Sequence, residues 1–205
     1  MIESNAALTL SELTCTMQDV KFQTRIMLLS AQLSRSGTEG AFTVNKYASG
    51  AIGYSSVHIP ETAEENDGFD PTNAISLYPL FYGARPSNVA SFVHSHPRMS
   101  QDHGGVTRLP SHSDLTLLAD VFYPSNPGHI GGIVLSPLLY GSDILLYRAT
   151  PRFDAERVKA EDTHSARAYE ERRSAMERAG LAFAYLCMLR PDYIVGMDRL
   201  ERLYQ

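Results

Sequence analysis

The most constraining stretch of the chain is Val89-Ala90-Ser91-Phe92-Val93-His94-Ser95-His96-Pro97. Residues 89–94 form a compact apolar run, too short to read as a helix and soon closed by a proline, which a strand accommodates where its ladder ends. This predicts a strand that stops at the surface with two histidines at its end. Side chains two apart on a strand point to one side, so His94 and His96 aim both imidazoles into one space. Pro110-Ser111-His112-Ser113-Asp114 follows. Leu115, Leu117, Leu118, Val121 and Phe122 then predict a helix running from Ser111 to the Pro124-Ser125-Asn126-Pro127-Gly128 breaker. Ser111 and Asp114 share a face of its first turn. A helix start beside the histidine pair would supply a carboxylate as third ligand and leave a fourth position for water, the arrangement that separates catalytic from structural zinc. Ser-x-x-Asp is also a helix capping box, and the two roles are compatible.

Around this segment the pattern alternates. Residues 19–33 read as a helix with Gly37 just past its end, and 41–45 and 52–59 as strands joined by a turn at Ala48-Ser49-Gly50. Residues 130–135 and 144–149 are two further strands, with Tyr140-Gly141-Ser142-Asp143 turning the chain between them. Residues 60–88 are polar, then heavily punctuated, and read as a long excursion over the surface. From Asp154 onward the pattern is helical, broken at Gly180 or shortly before Pro191, with residues 179–189 markedly apolar. Charge density shifts near Pro151: residues 1–150 hold 8 basic and 13 acidic side chains, whereas 151–205 hold 10 of each. The expectation is an α/β fold, a mixed β-sheet flanked by helices with an additional C-terminal helical segment. The division is a domain over 1–150 and a helical extension over 151–205. The extension packs on the same domain or on a partner, a second copy of the chain included.

Composition excludes some functions. A net charge of -5 and a pI of about 5.8 give no bulk electrostatic case for nucleic acid or an anionic membrane surface. No stretch approaches the roughly 18 apolar residues of a spanning helix, and the first residues carry no basic cluster. Cys15 and Cys187 are too few for a disulfide scaffold and form no Cys-x-x-Cys pair. The expectation is a soluble, unprocessed, cytoplasmic chain with reduced thiols, and secretion by a route without a signal peptide stays open.

His94-Ser95-His96-Pro97 and Pro110-Ser111-x-x-Asp114 together resemble the JAMM (MPN-plus) metalloproteases, whose pattern is an upstream Glu, then His-Ser/Thr-His-Pro, then Ser-x-x-Asp. The resemblance covers roughly residues 18–150 in element order and implies a JAMM/cytidine-deaminase-like fold. It does not explain 60–88 or the chain after Pro151. The 98–110 stretch is longer than in typical members, with Met99-Ser100-Gln101-Asp102-His103-Gly104-Gly105 as the insertion. The resemblance implies Zn²⁺ held by His94, His96 and Asp114, a metal-activated water as nucleophile, Glu39 as general base and Ser111 as donor to the developing oxyanion. Glu39, in Gly37-Thr38-Glu39-Gly40-Ala41-Phe42, stands where helix gives way to strand, the family's position for this residue. Glu61, Glu64 and Glu65 are the alternatives, in an acidic run that reads as a solvated loop. His103 and His112 flank the motif, while His58, His129 and His164 have no partner in sequence.

The implied activity is hydrolysis of a peptide or isopeptide bond in a protein or peptide substrate, ubiquitin-like conjugates and small-protein precursors included. No Gly-x-Ser-x-Gly elbow is present, and none is needed. The competing readings are a non-catalytic MPN-type interaction module, whose members have lost the His pair or the Asp, and a secreted effector or toxin domain using the same metal site. A zinc deaminase would need a Cys-x-x-Cys half that the chain lacks.

Overall fold

The computed structural model describes residues 6–36, 39–59, 86–96, 109–138, 141–160, 169–190 and 193–205. Among them, β1 (Ala41–Lys46), β2 (Ile52–Tyr54), β3 (Val89–His96), β4 (Ile130–Leu138), β5 (Gly141–Ala149), β6 (Leu181–Arg190) and β7 (Tyr193–Val195) form one mixed sheet. Their order is β2-β1-β3-β4-β5-β6-β7. β3 and β4 are parallel and every other neighbouring pair is antiparallel. A parallel pair needs a crossover connection. Here it contains α3 (His112–Leu117), a π-helical stretch (Leu118–Phe122) and a last short turn, α4 (Tyr123–Ser125). This crossover brings a helix start to the carboxyl end of β3, where open α/β sheets place their ligands.

Helices cover both faces. On one, Leu13 and Met17 of α1 (Leu10–Gln18), Phe22, Ile26 and Leu29 of α2 (Val20–Ser36), and Leu200 and Leu203 of a C-terminal 3₁₀ helix (Met197–Tyr204) pack on Val44, Val93, Val134 and Leu186. On the other, Leu115, Leu118 and Phe122 of the crossover, Val158 of α5 (Ala155–Lys159) and Met176 of α6 (Tyr169–Arg178) pack on Phe92, Ile133, Leu145 and Phe183. Phe92 and Val93 are adjacent in sequence and serve opposite layers, as strand alternation requires.

Local chemistry explains the boundaries. Thr9 and Glu12 form a capping box that starts α1, a helix the sequence reading did not identify. Asp19 ends α1 in extended backbone and its carboxylate accepts the Lys21 N–H at 2.7 Å, opening α2. The expected strand 52–59 is ordered as a ladder only to Tyr54. Beyond it, the Ser55 hydroxyl accepts the Thr43 N–H at 2.9 Å, and His58 makes an isolated bridge to Ala41. The crossover helix runs past the expected stop at Pro124, because that proline lies in the opening positions of a new turn where its missing N–H is not needed. Gly141, Ser142 and Asp143, expected as a turn, lie in β5, where Gly141 pairs with Leu138 and Asp143 with Leu135.

The C-terminal region corrects the expected helical extension. α5 and α6 are helices, but Leu181–Arg190 is the strand β6, paired with β5 from Ser142↔Met188 to Ala149↔Leu181. Residues 179–189 are apolar almost throughout, and a continuous apolar run fits a strand between two neighbours as well as a buried helix. Gly180 decides the change of direction. Its φ is +90°, and a Cβ there would stand 2.6 Å from the Arg152 carbonyl carbon, so α6 ends and β6 begins where only glycine fits. The segment after Pro151 is thus hydrogen-bonded into the same sheet. None of the described helices is long and apolar enough to cross a membrane. The excursion up to residue 85, with Glu61, Glu64 and Glu65, and the insertion with His103, along with His164, lie outside the described residues.

Candidate metal centre

The site is assembled at the carboxyl end of β3. His94 and His96 project from the face shared with Phe92, whose ring stacks on His94 at 5.3 Å between centroids. The two imidazoles meet edge-on, with Nε2 atoms 2.9 Å apart. Asp114 reaches both from the first turn of α3: Oδ1 is 3.0 Å from His94 Nε2 and Oδ2 is 3.1 Å from His96 Nε2. All three residues are buried. The structure therefore brings the three expected ligands together.

Ser111 performs the capping role that its motif also predicts. Its hydroxyl oxygen accepts the Asp114 N–H at 3.2 Å, and its own N–H and hydroxyl donate to Asp114 Oδ2 at 2.7 and 2.8 Å. The cap is thus what aims the carboxylate, since a helix start fixed on Asp114 points the same oxygens at the histidines.

Whether these residues fit a metal ion can be judged from donor spacing. A four-coordinate ion with bonds of about 2.0–2.1 Å sets neighbouring donors about 3.3 Å apart. The observed 2.9, 3.0 and 3.1 Å contacts lie just inside that distance. One donor atom from each residue can be chosen so that all lie within 4.8 Å of one another. Two imidazole nitrogens with one carboxylate form a borderline donor set suited to zinc, and the geometry requires no rearrangement of the elements. His94 Nδ1 is buried without a hydrogen-bond partner among the described residues, so none of these supplies the outer support usual for a ligating imidazole.

The electrostatics follow from burial and proximity. Burial pushes the Asp114 carboxyl up, but the rings of His94 and His96 outweigh it and hold the group well below the usual carboxylate range. Glu39 behaves oppositely. Burial raises its carboxyl above the ordinary value, Asp114 adds to the rise, and the two histidines offset only part of it.

Glu39 lies one residue before Gly40 and two before β1. β1 and β3 pair Ala41↔His94, and Ser95 N–H donates to Gly40 O at 2.9 Å, which continues the ladder by one step. Extended one residue past that bond, the register would set Glu39 opposite His96, and residues directly opposite on antiparallel strands share a face. Of the five residues singled out in sequence, the structure thus gathers His94, His96, Asp114 and Ser111 by contact, and sets Glu39 near enough for its carboxyl to feel the charge of both histidines.

Two neighbours escaped the sequence reading. Tyr147 on β5 is buried, and its hydroxyl is pushed well above its ordinary range by burial and by the Asp114 charge. Its ring lies over Gly131, its partner across the ladder, where any Cβ would collide with it. The Gly131-Gly132 pair inside an apolar strand run was the available signal. Ser95 was part of the motif but carried no assignment. The remaining histidines have other settings: His129 is stacked on Phe122 at 3.8 Å and held neutral by burial, with its pKa lowered to about 3, and His112 is exposed on the first turn of α3.

Against known proteins, the chain matches no family model, no curated protein and no solved structure.

Proposed function

We propose that this protein is a zinc-dependent hydrolase of the JAMM type that cleaves a peptide or isopeptide bond in a protein or peptide substrate, ubiquitin-like conjugates among the candidates. The observation that carries the reading is the Asp114 carboxylate bridging His94 and His96 from a helix start on the crossover. His94, His96 and Asp114 would hold the ion. Zinc bound there supplies Lewis acidity and a water molecule whose pKa falls toward about 7.

The chain's own residues do the rest. Glu39 would take the proton of the attacking water and return it to the leaving amine. Ser111 would donate a hydrogen bond to the developing oxyanion once its hydroxyl turns from Asp114 Oδ2. No side chain forms a covalent intermediate, so neither Cys15 nor Cys187 is needed.

The test is mass spectrometry of products after incubating zinc-loaded and chelator-stripped protein with peptide libraries and with conjugates linked through a lysine side chain. Cleavage that needs zinc and vanishes in the His94→Ala, His96→Ala double variant supports the reading. Cleavage that persists without metal, or none with any loaded sample, overturns it.

A further inference from the structure

The central serine of His94-Ser95-His96 makes an unusual contact. In the β1–β3 ladder, Ser95 N–H donates to Gly40 O at 2.9 Å, and the reciprocal bond from Gly40 N–H would ordinarily go to the Ser95 carbonyl. It goes to the Ser95 hydroxyl oxygen instead, at 2.9 Å. The hydroxyl thus takes the ladder bond at the step between Glu39 and the start of β1.

Ser95 is fully buried and alternates with the histidines, so it lies on the face of Val93, against the α2 layer. An aliphatic residue is the default there, because a hydroxyl in an apolar layer costs stability unless it is paired. Its partner is the backbone next to Glu39. Gly40 is boxed from other directions as well: a Cβ on it would stand 2.8 Å from Leu29 Cδ2 and 3.1 Å from His58 O. The neighbouring Ala41 exchanges both backbone bonds with His58, at 2.9 and 2.8 Å.

We propose that Ser95 is a positioning residue for Glu39: through the Gly40 amide it holds the Glu39 backbone in register with His96, so that the carboxylate stands over the metal position. The inference rests on the zinc-hydrolase reading but assigns a role that the motif itself leaves blank. One strand end then does two jobs. Its even-numbered side chains present ligands to one face, and the residue between them fixes the base from the other.

Cobalt alone is the probe, since no substrate is required. Chelator-stripped protein is loaded with Co²⁺, and the visible absorption bands are followed with pH. Their midpoint reports ionisation at the open coordination position, and a carboxylate beside it raises that midpoint. Glu39→Gln should lower it by about one pH unit, the equivalent of one hydrogen bond to a charged group. Ser95→Ala should lower it in the same direction while Co²⁺ affinity and the band shape at low pH stay as in wild type. Added to Glu39→Gln, it should produce no further shift. Ser95→Thr, which keeps the hydroxyl, should restore the wild-type profile. If Ser95→Ala does not fold, Ser95→Cys, with similar volume and a poorer acceptor, takes its place.

A wild-type midpoint in Ser95→Ala beside a shifted Glu39→Gln overturns the inference and leaves the hydrolase reading intact. A further shift in the double variant also overturns it, because Ser95 then acts other than through Glu39. Failure of Co²⁺ to bind, or no shift in Glu39→Gln, brings down the underlying reading and this inference with it.

Discussion

If the centre holds zinc as proposed, the ion should stabilise the fold by a calculable amount. In the folded chain the donor atoms of His94, His96 and Asp114 lie within 4.8 Å of one another, whereas unfolding leaves Asp114 far along the chain from the histidines with nothing to hold them together. Binding is therefore confined to the folded state and adds RT ln(1 + [Zn²⁺]/Kd). At free Zn²⁺ one hundred times Kd this is about 2.7 kcal/mol. For a domain of 205 residues each kcal/mol moves the melting temperature by about 2–4 °C, so the increment is about 5–10 °C. Asp114→Asn is the informative variant. It retains an oxygen to accept the Ser111 N–H, so the helix cap survives, but it loses the charge that pairs with both imidazoles. If the site weakens about a hundredfold, the increment at the same zinc concentration falls to about 0.4 kcal/mol, or about 1–2 °C. Differential scanning calorimetry with buffered free zinc measures both. Equal increments in wild type, Asp114→Asn and the His94→Ala, His96→Ala double variant would refute the assignment, as would no increment in wild type.

Three further outcomes follow from single residues. Glu39→Gln should retain zinc content and melting temperature while turnover, measured on any substrate found by product analysis, falls by about 10²–10⁴-fold; unchanged turnover would remove Glu39 from the mechanism. His129 is neutral in the fold, with a pKa of about 3 against an ordinary 6.5, so the unfolded state binds more protons between those values and stability falls as pH drops through that window. At pH 5 the loss is about 2 kcal/mol relative to neutral pH, and urea titrations of His129→Gln should show a correspondingly flatter pH dependence. Gly180→Ala forces a Cβ against the Arg152 carbonyl at positive φ and should cost about 1–3 kcal/mol in denaturant unfolding without changing zinc affinity.

How far the sequence disclosed this structure depends on the range over which each signal acts. Strands β1, β3, β4 and β5 and helix α2 were legible because alternation, apolar runs and local breakers are written within a few residues of each element. The ligand set was legible for the same reason, since strand spacing pairs His94 with His96, and a capping motif places Asp114 one turn into a helix. Leu181–Arg190 was not legible. Its alanines, leucines and methionine suit a helix, and what makes it a strand is the eight-residue ladder with β5, a tertiary fact with no local trace apart from Gly180. Tyr147 was hidden likewise, because its nearness to Asp114 depends on β4 and β5 pairing in one register. Glu39 is intermediate: its position before a strand was readable, but its nearness to the histidines depends on β1 pairing with β3.

The centre's self-pairing bears on how it would take up metal. Three polar side chains at the edge of an apolar layer destabilise a fold unless they are partnered. Here Asp114 engages both histidines and the Ser111 N–H and hydroxyl, so the contacts that aim the ligands also satisfy them. The core that carries them is independent of any ion: Phe92, Leu115, Leu118 and Phe122 pack beneath the centre, and the sheet continues on both sides. A structural zinc site of the finger type folds only when metal binds, and binding then offsets the whole ordering cost. This site is ordered by β3 and α3 beforehand, so stripping the metal should leave far-ultraviolet circular dichroism unchanged, and rebinding should involve side-chain adjustment alone. Affinity is then set by the donors and their protonation. Asp114, held well below the usual carboxylate range by the two imidazoles, offers an ionised ligand even as pH falls.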